Sequence, residues 1–333
     1  MQRKRALIYL IAPALFLAAP AAYADPSGLL ALQRYDRQLN TIGYRLAAAN
    51  VSLCAATTPL TGFSIHDLSQ YSADQQADAR AAFGFIADPL VLAVAPDSPA
   101  AAAGLREGDA LVSIDGGAIA PARPGSRRSY SRIETLLAQL DRAAADHMLD
   151  LGVRRDGRLL TIHAPAPEGC PSRFQTKVSG TIDSLADGIY VEITTGAMDF
   201  AGEEDQIAAI VAHELAHNIL HHRERLNAVG IRRGLLGQFG RNARRIRQTE
   251  EEADILSVYL LDRAGYSPQA IVKFWEHYDR AHILGFLAAP THPSPKARIA
   301  MVERETARIV AMKAAGETPR PLFMMGATLP ALR

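Results

Sequence analysis

The residues His213-Glu214-Leu215-Ala216-His217 have a spacing that suits metal-assisted hydrolysis. On a helix, residues four apart share a face, so His213 and His217 can bind one metal ion. Glu214 lies one step round the helix, close enough to take a proton from a water that the metal activates. The pattern therefore predicts a zinc ion with a general base beside it.

A third ligand is expected downstream, because a catalytic zinc usually has three protein ligands and a water. Thr249 followed by Glu252 is typical of a capping box and predicts that a helix begins there. Glu250, in the first turn, is the predicted third ligand. Asp254, one turn later, is predicted to accept a hydrogen bond from His213. The alternatives are a core helix with two ordinary histidines and a solvated acidic helix start.

The motif His213 to His217, with Glu250, Ala253 and Asp254 downstream, resembles the HtpX-like zinc metallopeptidases, a family that includes the CAAX prenyl endopeptidases. Further segments that resemble this family lie at residues 42–46, 186–196, 291–294 and 298–299. The resemblance implies an α+β fold, in which a mainly helical zincin-type (gluzincin) core carries a small sheet.

The resemblance covers roughly residues 27–54 and 170–310. The sequence lacks the several long apolar spans of the membrane-embedded members, so it resembles the soluble, exported branch. A strand at residues 188–193 is expected beside the zinc cleft as an edge strand, which binds an extended substrate through its backbone. The predicted substrate residues are Gly188, Ile189, Tyr190 and Val191.

A bacterial PDZ domain is the second resemblance, carried by the Ser-Pro-Ala and Ala-Gly-Leu-x-x-Gly-Asp residues of 98–109. A PDZ domain adds a peptide as a strand at a sheet edge, while backbone amides hold the terminal carboxylate. Phe83, Gly84, Phe85 and Ile86 are the predicted carboxylate loop. The alternative is a spacer that binds nothing.

The expected domain order follows from these two resemblances. It comprises a signal peptide (1–24), a helical peptidase segment (25–82), an inserted PDZ-like β-sandwich or barrel (83–165), the zinc metallopeptidase core (166–316) and a loosely ordered tail (317–333).

His292 lies in a loop before the last predicted helix. It can act as a fourth zinc ligand, stabilise an oxyanion or simply anchor the loop. Arg298 is a second candidate for the oxyanion. The sequence leaves these alternatives open.

The first 24 residues have the pattern of an export signal, with a basic start, an apolar run and Ala22-Tyr23-Ala24 before Asp25. Cleavage after Ala24 would give a periplasmic protein, and the alternative is an uncleaved membrane anchor. In an oxidising compartment Cys54 and Cys170 are expected to form a disulfide that joins the two ends of the insertion. The alternative is two unpaired buried thiols.

The charges nearly cancel, with 36 Lys and Arg against 35 Asp and Glu, so no nucleic-acid partner is expected. The exception is residues 223–247, from Arg223 to Arg247, which carry eight arginines. A mobile basic lid, a surface for anionic membrane lipid and a solvated connector are the three interpretations.

These features predict a zinc-dependent endopeptidase with one Zn²⁺ per chain and Glu214 as the general base. By the family resemblance, its substrates are misfolded or misassembled proteins of the bacterial envelope, which the PDZ domain presents or gates. The alternative is a chaperone-like protein that binds clients, with proteolysis repressed or absent. An intact Glu214 argues against a purely structural metal, because such a site needs no base.

Overall fold

The computed structural model describes residues 25–122, 127–231, 240–281, 293–326 and 329–332. The helices are α1 (Ser27–Ala49), α2 (Gln76–Phe83), α3 (Pro99–Ala102), α4 (Ser131–Ala143), α5 (Thr195–Ala201), α6 (Glu204–Ile219), α7 (His222–Ala228), α8 (Gly240–Arg263), α9 (Gln269–Arg280) and α10 (Pro295–Ala314). The strands are β1 (Thr58–Pro59), β2 (Phe63–His66), β3 (Leu90–Val94), β4 (Ala110–Ile114), β5 (Gly117–Ala118), β6 (Met148–Arg155), β7 (Arg158–Pro165), β8 (Glu168–Gly169), β9 (Arg173–Lys177), β10 (Ser184–Ala186) and β11 (Tyr190–Thr194).

Helix α6 is the centre of the larger unit and packs against α1, α8 and α9. Its Ile207, Val211 and Leu215 are almost completely buried. Ala208, Ala212 and Ala216 are buried too. A helix that is apolar on several sides must be covered on several sides, and its small alanines let the neighbouring helices approach closely. The sequence thereby places the histidine motif inside the core instead of at its surface.

A small sheet accompanies these helices, in the order β10-β11-β9. The central strand β11 pairs antiparallel with β10 and parallel with β9. The buried residues Val191 and Ile193 of β11 belong to the same hydrophobic core as α6. The predicted fold class, a mainly helical peptidase core with a small sheet, is confirmed for this unit.

The second unit is a sheet in the order β2-β3-β4-β6-β7, with β5 paired to β4. It has its own hydrophobic core, to which α4 contributes Ile133, Leu136 and Leu140. The strand β2 belongs to this sheet through antiparallel pairing with β3. The predicted domain boundary at residue 83 therefore falls inside the unit, because a strand twenty residues earlier in the chain completes its sheet.

Two connections between the units run side by side. The predicted disulfide between Cys54 and Cys170 is present, with the two Cα atoms 5.6 Å apart. Immediately beyond it, β1 pairs antiparallel with β8. The two chain segments that enter and leave the insertion are therefore held together at their base, by a covalent bond and a short ladder.

The described part of the C-terminal tail is packed, in contrast to the loose order expected for it. Phe323, Met324 and Leu329 lie against the core of the larger unit. The carbonyl oxygens of Pro330 and Ala331 accept hydrogen bonds from side chains of α7 and α8. In the described ranges, every helix is too short or too polar to cross a membrane.

Candidate active site

The three predicted metal ligands converge at the junction of α6 and α8. The Nε2 atoms of His213 and His217 lie 3.1 Å apart. The carboxylate of Glu250, from α8, lies 3.5 Å from His213 Nε2 and 3.6 Å from His217 Nε2. All three side chains are largely buried, with exposed fractions of 11–18%.

These distances fit a tetrahedral zinc. Bonds of about 2.0–2.2 Å from zinc to nitrogen and oxygen separate neighbouring donor atoms by about 3.3–3.5 Å. The charge of the site also fits. Burial lowers the pKa of His213, but hydrogen bonds to Asp254 and Glu250, together with their charges, outweigh it and raise the pKa to about 10. The surroundings thus favour positive charge at this point, and a divalent cation would supply it.

Glu250 owes its place to a helix that begins earlier than the capping box predicts. Helix α8 starts at Gly240, so Thr249 lies within it. The Thr249 hydroxyl donates to the carbonyl of Ile246 instead of capping a helix start. The prediction of a helix start at Thr249 is wrong, because the residues before it continue the helix. The relation between Glu250 and Asp254, one turn apart, is unaffected.

Asp254 lies behind the ligands. Its Oδ1 atom is 3.0 Å from Nδ1 of His213 and accepts a hydrogen bond of 2.7 Å from Arg298. If Nε2 of His213 binds a metal, Nδ1–H of His213 would donate to the Asp254 carboxylate, and this hydrogen bond would fix the orientation of the His213 ring.

Arg298 has a different place from the one expected of an oxyanion stabiliser. Its side chain is only 3% exposed and stacks on Trp275, with 4.4 Å between the guanidinium carbon and the ring centroid. One terminal nitrogen binds Asp254 and the other lies 3.5 Å from Glu250. With its guanidinium committed to these carboxylates, Arg298 supports the ligands from behind.

Glu214 is 7% exposed and lies beside β10. The hydroxyl of Ser184, on β10, donates to its Oε1 atom at 2.7 Å. Sequence reasoning missed Ser184, because no motif marks it. Strand β10 packs against α6, and this packing brings Ser184 next to Glu214.

The predicted substrate strand needs correction. Gly188 and Ile189 lie in the turn before β11, and Tyr190 and Val191 lie in β11, which has a neighbour on each side. The strands at the two edges of this sheet are β10, which packs against α6, and β9, which packs against α1.

Asn218, which follows the second histidine, fixes this arrangement. Its Oδ1 atom accepts from the backbone of Gly188 at 2.8 Å, and its Nδ2 atom lies 3.3 Å from the carbonyl of Tyr190. The metal helix thereby holds the β10–β11 turn. The sequence analysis did not identify Asn218 as a residue that supports the site, although its position next to His217 was a possible signal.

The predicted carboxylate loop of the PDZ-like unit also needs correction. Phe83 ends α2, and Gly84 caps it in the left-handed conformation, with φ of 75°. Phe85 is buried, whereas Ile86 is 84% exposed. The strand that follows residues 83–86 is β3, which has β2 and β4 as neighbours, so this loop does not lead into a strand at an edge of the sheet.

Several predicted features lie outside the described residues. These are His292, the export signal at 1–24, and residues 232–239 of the arginine-rich segment. In the described part of that segment, Arg223 donates to the carbonyl of Asp187 at 2.6 Å.

Comparisons with known proteins agree with this division into two units. Residues 90–139 match the PDZ domain family, and residues 238–306 match Peptidase family M48. The second match includes Glu250, Asp254 and Arg298. The chain is also 30% identical, over 139 residues, to the mitochondrial metalloendopeptidase OMA1 of Schizosaccharomyces pombe. That alignment covers 35% of this chain and 41% of the relative, so the chain spans less than half of the relative's length. The chain therefore carries one segment similar to Peptidase family M48 and another similar to the PDZ domain family.

Proposed function

We propose that this chain, with its M48 peptidase segment and PDZ domain, is a zinc-dependent endopeptidase. The observation that carries the proposal is the convergence of His213, His217 and Glu250 at zinc-compatible distances, with buried Glu214 next to His213. The similarity to a metalloendopeptidase supports the same reaction class.

The bound zinc would supply Lewis acidity, which activates water and polarises the peptide carbonyl. Glu214 accepts a proton from the attacking water and returns it to the leaving amine. Ser184 donates to Oε1 of Glu214 and so holds the orientation of the carboxylate. Asp254 and Arg298 hold the ring of His213 and the carboxylate of Glu250.

An extended protein segment is the substrate that this site fits. Strand β10 lies at the sheet edge next to α6, and a peptide along it would pair through its backbone. Backbone pairing reads few side chains, so it suits a peptidase that acts on varied unfolded segments. The PDZ domain offers a second peptide site along β2, a strand at an edge of its sheet.

The proposed location is the periplasm, and the proposed substrates are misfolded or misassembled envelope proteins. The disulfide between Cys54 and Cys170 supports an oxidising compartment. The pattern of residues 1–24 supports export.

The test is cleavage of an unfolded protein by the purified chain, with wild type, Glu214→Gln and Glu251→Gln compared. Glu251 is exposed beside the ligand Glu250 and serves as the control. We expect cleavage by wild type and Glu251→Gln, none by Glu214→Gln, and about one zinc in each. An active Glu214→Gln variant would refute the role of the base. Bound zinc without cleavage in all three would favour the alternative, a client-binding protein.

A further inference from the structure

The chain reverses direction directly after the metal helix. His221 takes the left-handed conformation, with φ of 51°, and α7 begins at the next residue. This reversal returns the ring of His222 to the ring of His217, with 4.8 Å between the centroids and 78° between the planes. His222 is only 2% exposed, so it is a buried part of the core beside the site.

A chain of hydrogen bonds leads from this ring into α7 and α8. The Nδ1 atoms of His222 and His217 lie 2.9 Å apart. On its other side, Nε2 of His222 lies 3.2 Å from Oε2 of Glu252. Glu252 also accepts from Arg225 at 2.5 Å and from Gln248 at 2.8 Å.

The direction of each hydrogen bond follows from the outer end of this chain. A carboxylate that accepts from a guanidinium and an amide is ionised and can only accept. Nε2 of His222 must therefore donate to Glu252. A neutral imidazole carries a single hydrogen, so in the neutral ring Nδ1 of His222 is left as an acceptor. Nδ1 of His217 must then donate, so Nε2 of His217 carries the lone pair that faces Glu250 and His213.

We propose that His222 is a positioning residue that selects the metal-binding tautomer of His217 and fixes the orientation of its ring. Glu252 and Arg225 anchor His222 in this role. The inference rests on the proposed function, because it concerns the same metal. With this role for His222, each of the two histidine ligands has its own set of supporting residues. His213 is held by Asp254 and Arg298, and His217 by His222, Glu252 and Arg225.

The test compares His222→Leu, which removes both ring nitrogens, with His222→Gln. The amide of Gln can accept from His217 and donate to Glu252. Zinc affinity is measured by competition with a chelator, and the tautomer of His217 by long-range ¹H–¹⁵N NMR on the metal-free chain. We expect His222→Leu to weaken zinc binding about 10- to 100-fold and to remove the preference for hydrogen on Nδ1. His222→Gln should stay within a factor of about three of wild type, because it restores both hydrogen bonds.

The matched control is His221→Asn, since His221 is exposed and asparagine tolerates its left-handed backbone. It should leave both readouts unchanged. If His222→Leu fails to fold, Glu252→Gln, which is nearly isosteric, takes its place and should also weaken zinc binding. The inference would be overturned if His222→Leu kept the His217 tautomer and the zinc affinity of wild type. A loss in His222→Gln equal to that in His222→Leu would also overturn it, because packing alone would then explain the residue.

Zinc binding by wild type keeps the two proposals distinguishable. If wild type bound no zinc, the proposed function would fail. The tautomer of His217 in the metal-free variants would still decide the role of His222.

Discussion

Residues outside the histidine motif help to hold the acidic side chains of this site. Glu214 has a hydroxyl partner in Ser184, and Glu250 has a guanidinium nearby in Arg298. Neither Ser184 nor Arg298 belongs to the five-residue motif. Ser184 contacts the predicted base, and Arg298 contacts a predicted metal ligand. The chemistry of the motif therefore depends on residues distant in sequence.

Ser184→Ala is predicted to lower kcat about 10- to 150-fold, because hydrogen bonds to charged groups contribute about 1.5–3 kcal/mol. KM and zinc content should change little, since Ser184 binds the base and not the metal. Steady-state kinetics and metal analysis provide the measurement. Ser184→Thr keeps the hydroxyl and is the control. Equal activity in Ser184→Ala and wild type would show that Glu214 is oriented without this bond.

Arg298→Met is predicted to destabilise the larger unit by about 3 kcal/mol, because it leaves the buried carboxylate of Asp254 without its cation. Zinc affinity should fall as well, since Asp254 and Glu250 both lose a partner. Urea unfolding and chelator competition measure the two effects. Lys296→Met, on the same helix at an exposed position, should change stability by less than about 1 kcal/mol. Equal effects of the two substitutions would contradict the buried role.

The edge strands decide where each unit can take a peptide. In the larger unit the edge strand next to the metal helix is β10. In the PDZ-like unit the strands at the two edges are β2 and β7. Strand β2 ends in His66, whose ring contacts Phe83 and Phe85 at centroid distances of 4.7 Å. Phe83 and Phe85, two of the residues expected to form a carboxylate loop, are thus part of a small aromatic core that packs against β2.

This aromatic core predicts acid sensitivity. Burial lowers the pKa of His66 to about 3, so the folded chain keeps this ring neutral. The unfolded chain binds a proton there below about pH 6.5, so stability is lost as the pH falls from about 6.5 towards 3. Between pH 7.5 and 5.0, wild type should lose about 2 kcal/mol more than His66→Phe.

Urea unfolding at the two pH values, followed by circular dichroism, measures this difference. His163→Asn, at an exposed position, is the control and should keep the pH dependence of wild type. An identical pH dependence in His66→Phe and wild type would show that the ring titrates freely.

The two units are joined by the Cys54–Cys170 disulfide, by the β1–β8 ladder and by contacts of α1. Arg37 of α1 pairs with Glu107 of the PDZ unit at 2.6 Å. Arg45 pairs with Asp97 of the PDZ unit at 2.5 Å and with Glu204 in the first turn of α6 at 2.9 Å. These ion pairs connect the PDZ-like unit, through α1, to the first turn of the metal helix.

Replacement of Cys54 and Cys170 together by alanine is predicted to destabilise the chain by about 3–5 kcal/mol. The disulfide closes a loop of 116 residues, and its loss frees that loop in the unfolded state. Denaturant unfolding of the double variant and of reduced wild type should give similar losses. A loss below about 1 kcal/mol would show that the β1–β8 ladder and α1 suffice to hold the insertion.

The sequence by itself determined the chemistry of the site and the two kinds of unit. A four-residue step on a helix puts His213 and His217 on one face whatever surrounds them, and the same step relates Glu250 to Asp254. Turn residues in short, regular spacing likewise indicate the short strands of the PDZ-like sheet. Local periodicity carries such features, because it depends only on residues close in sequence.

Only the tertiary structure decided which strands lie at the edges and which side chains support the ligands. Strand order depends on pairing between segments distant in the chain, so β10 and β11 could not be told apart as substrate strands from their own residues. Ser184, Arg298 and His222 reach the site through sheet pairing, helix packing and a left-handed turn. Their roles depend on distances across the fold, which no local pattern encodes.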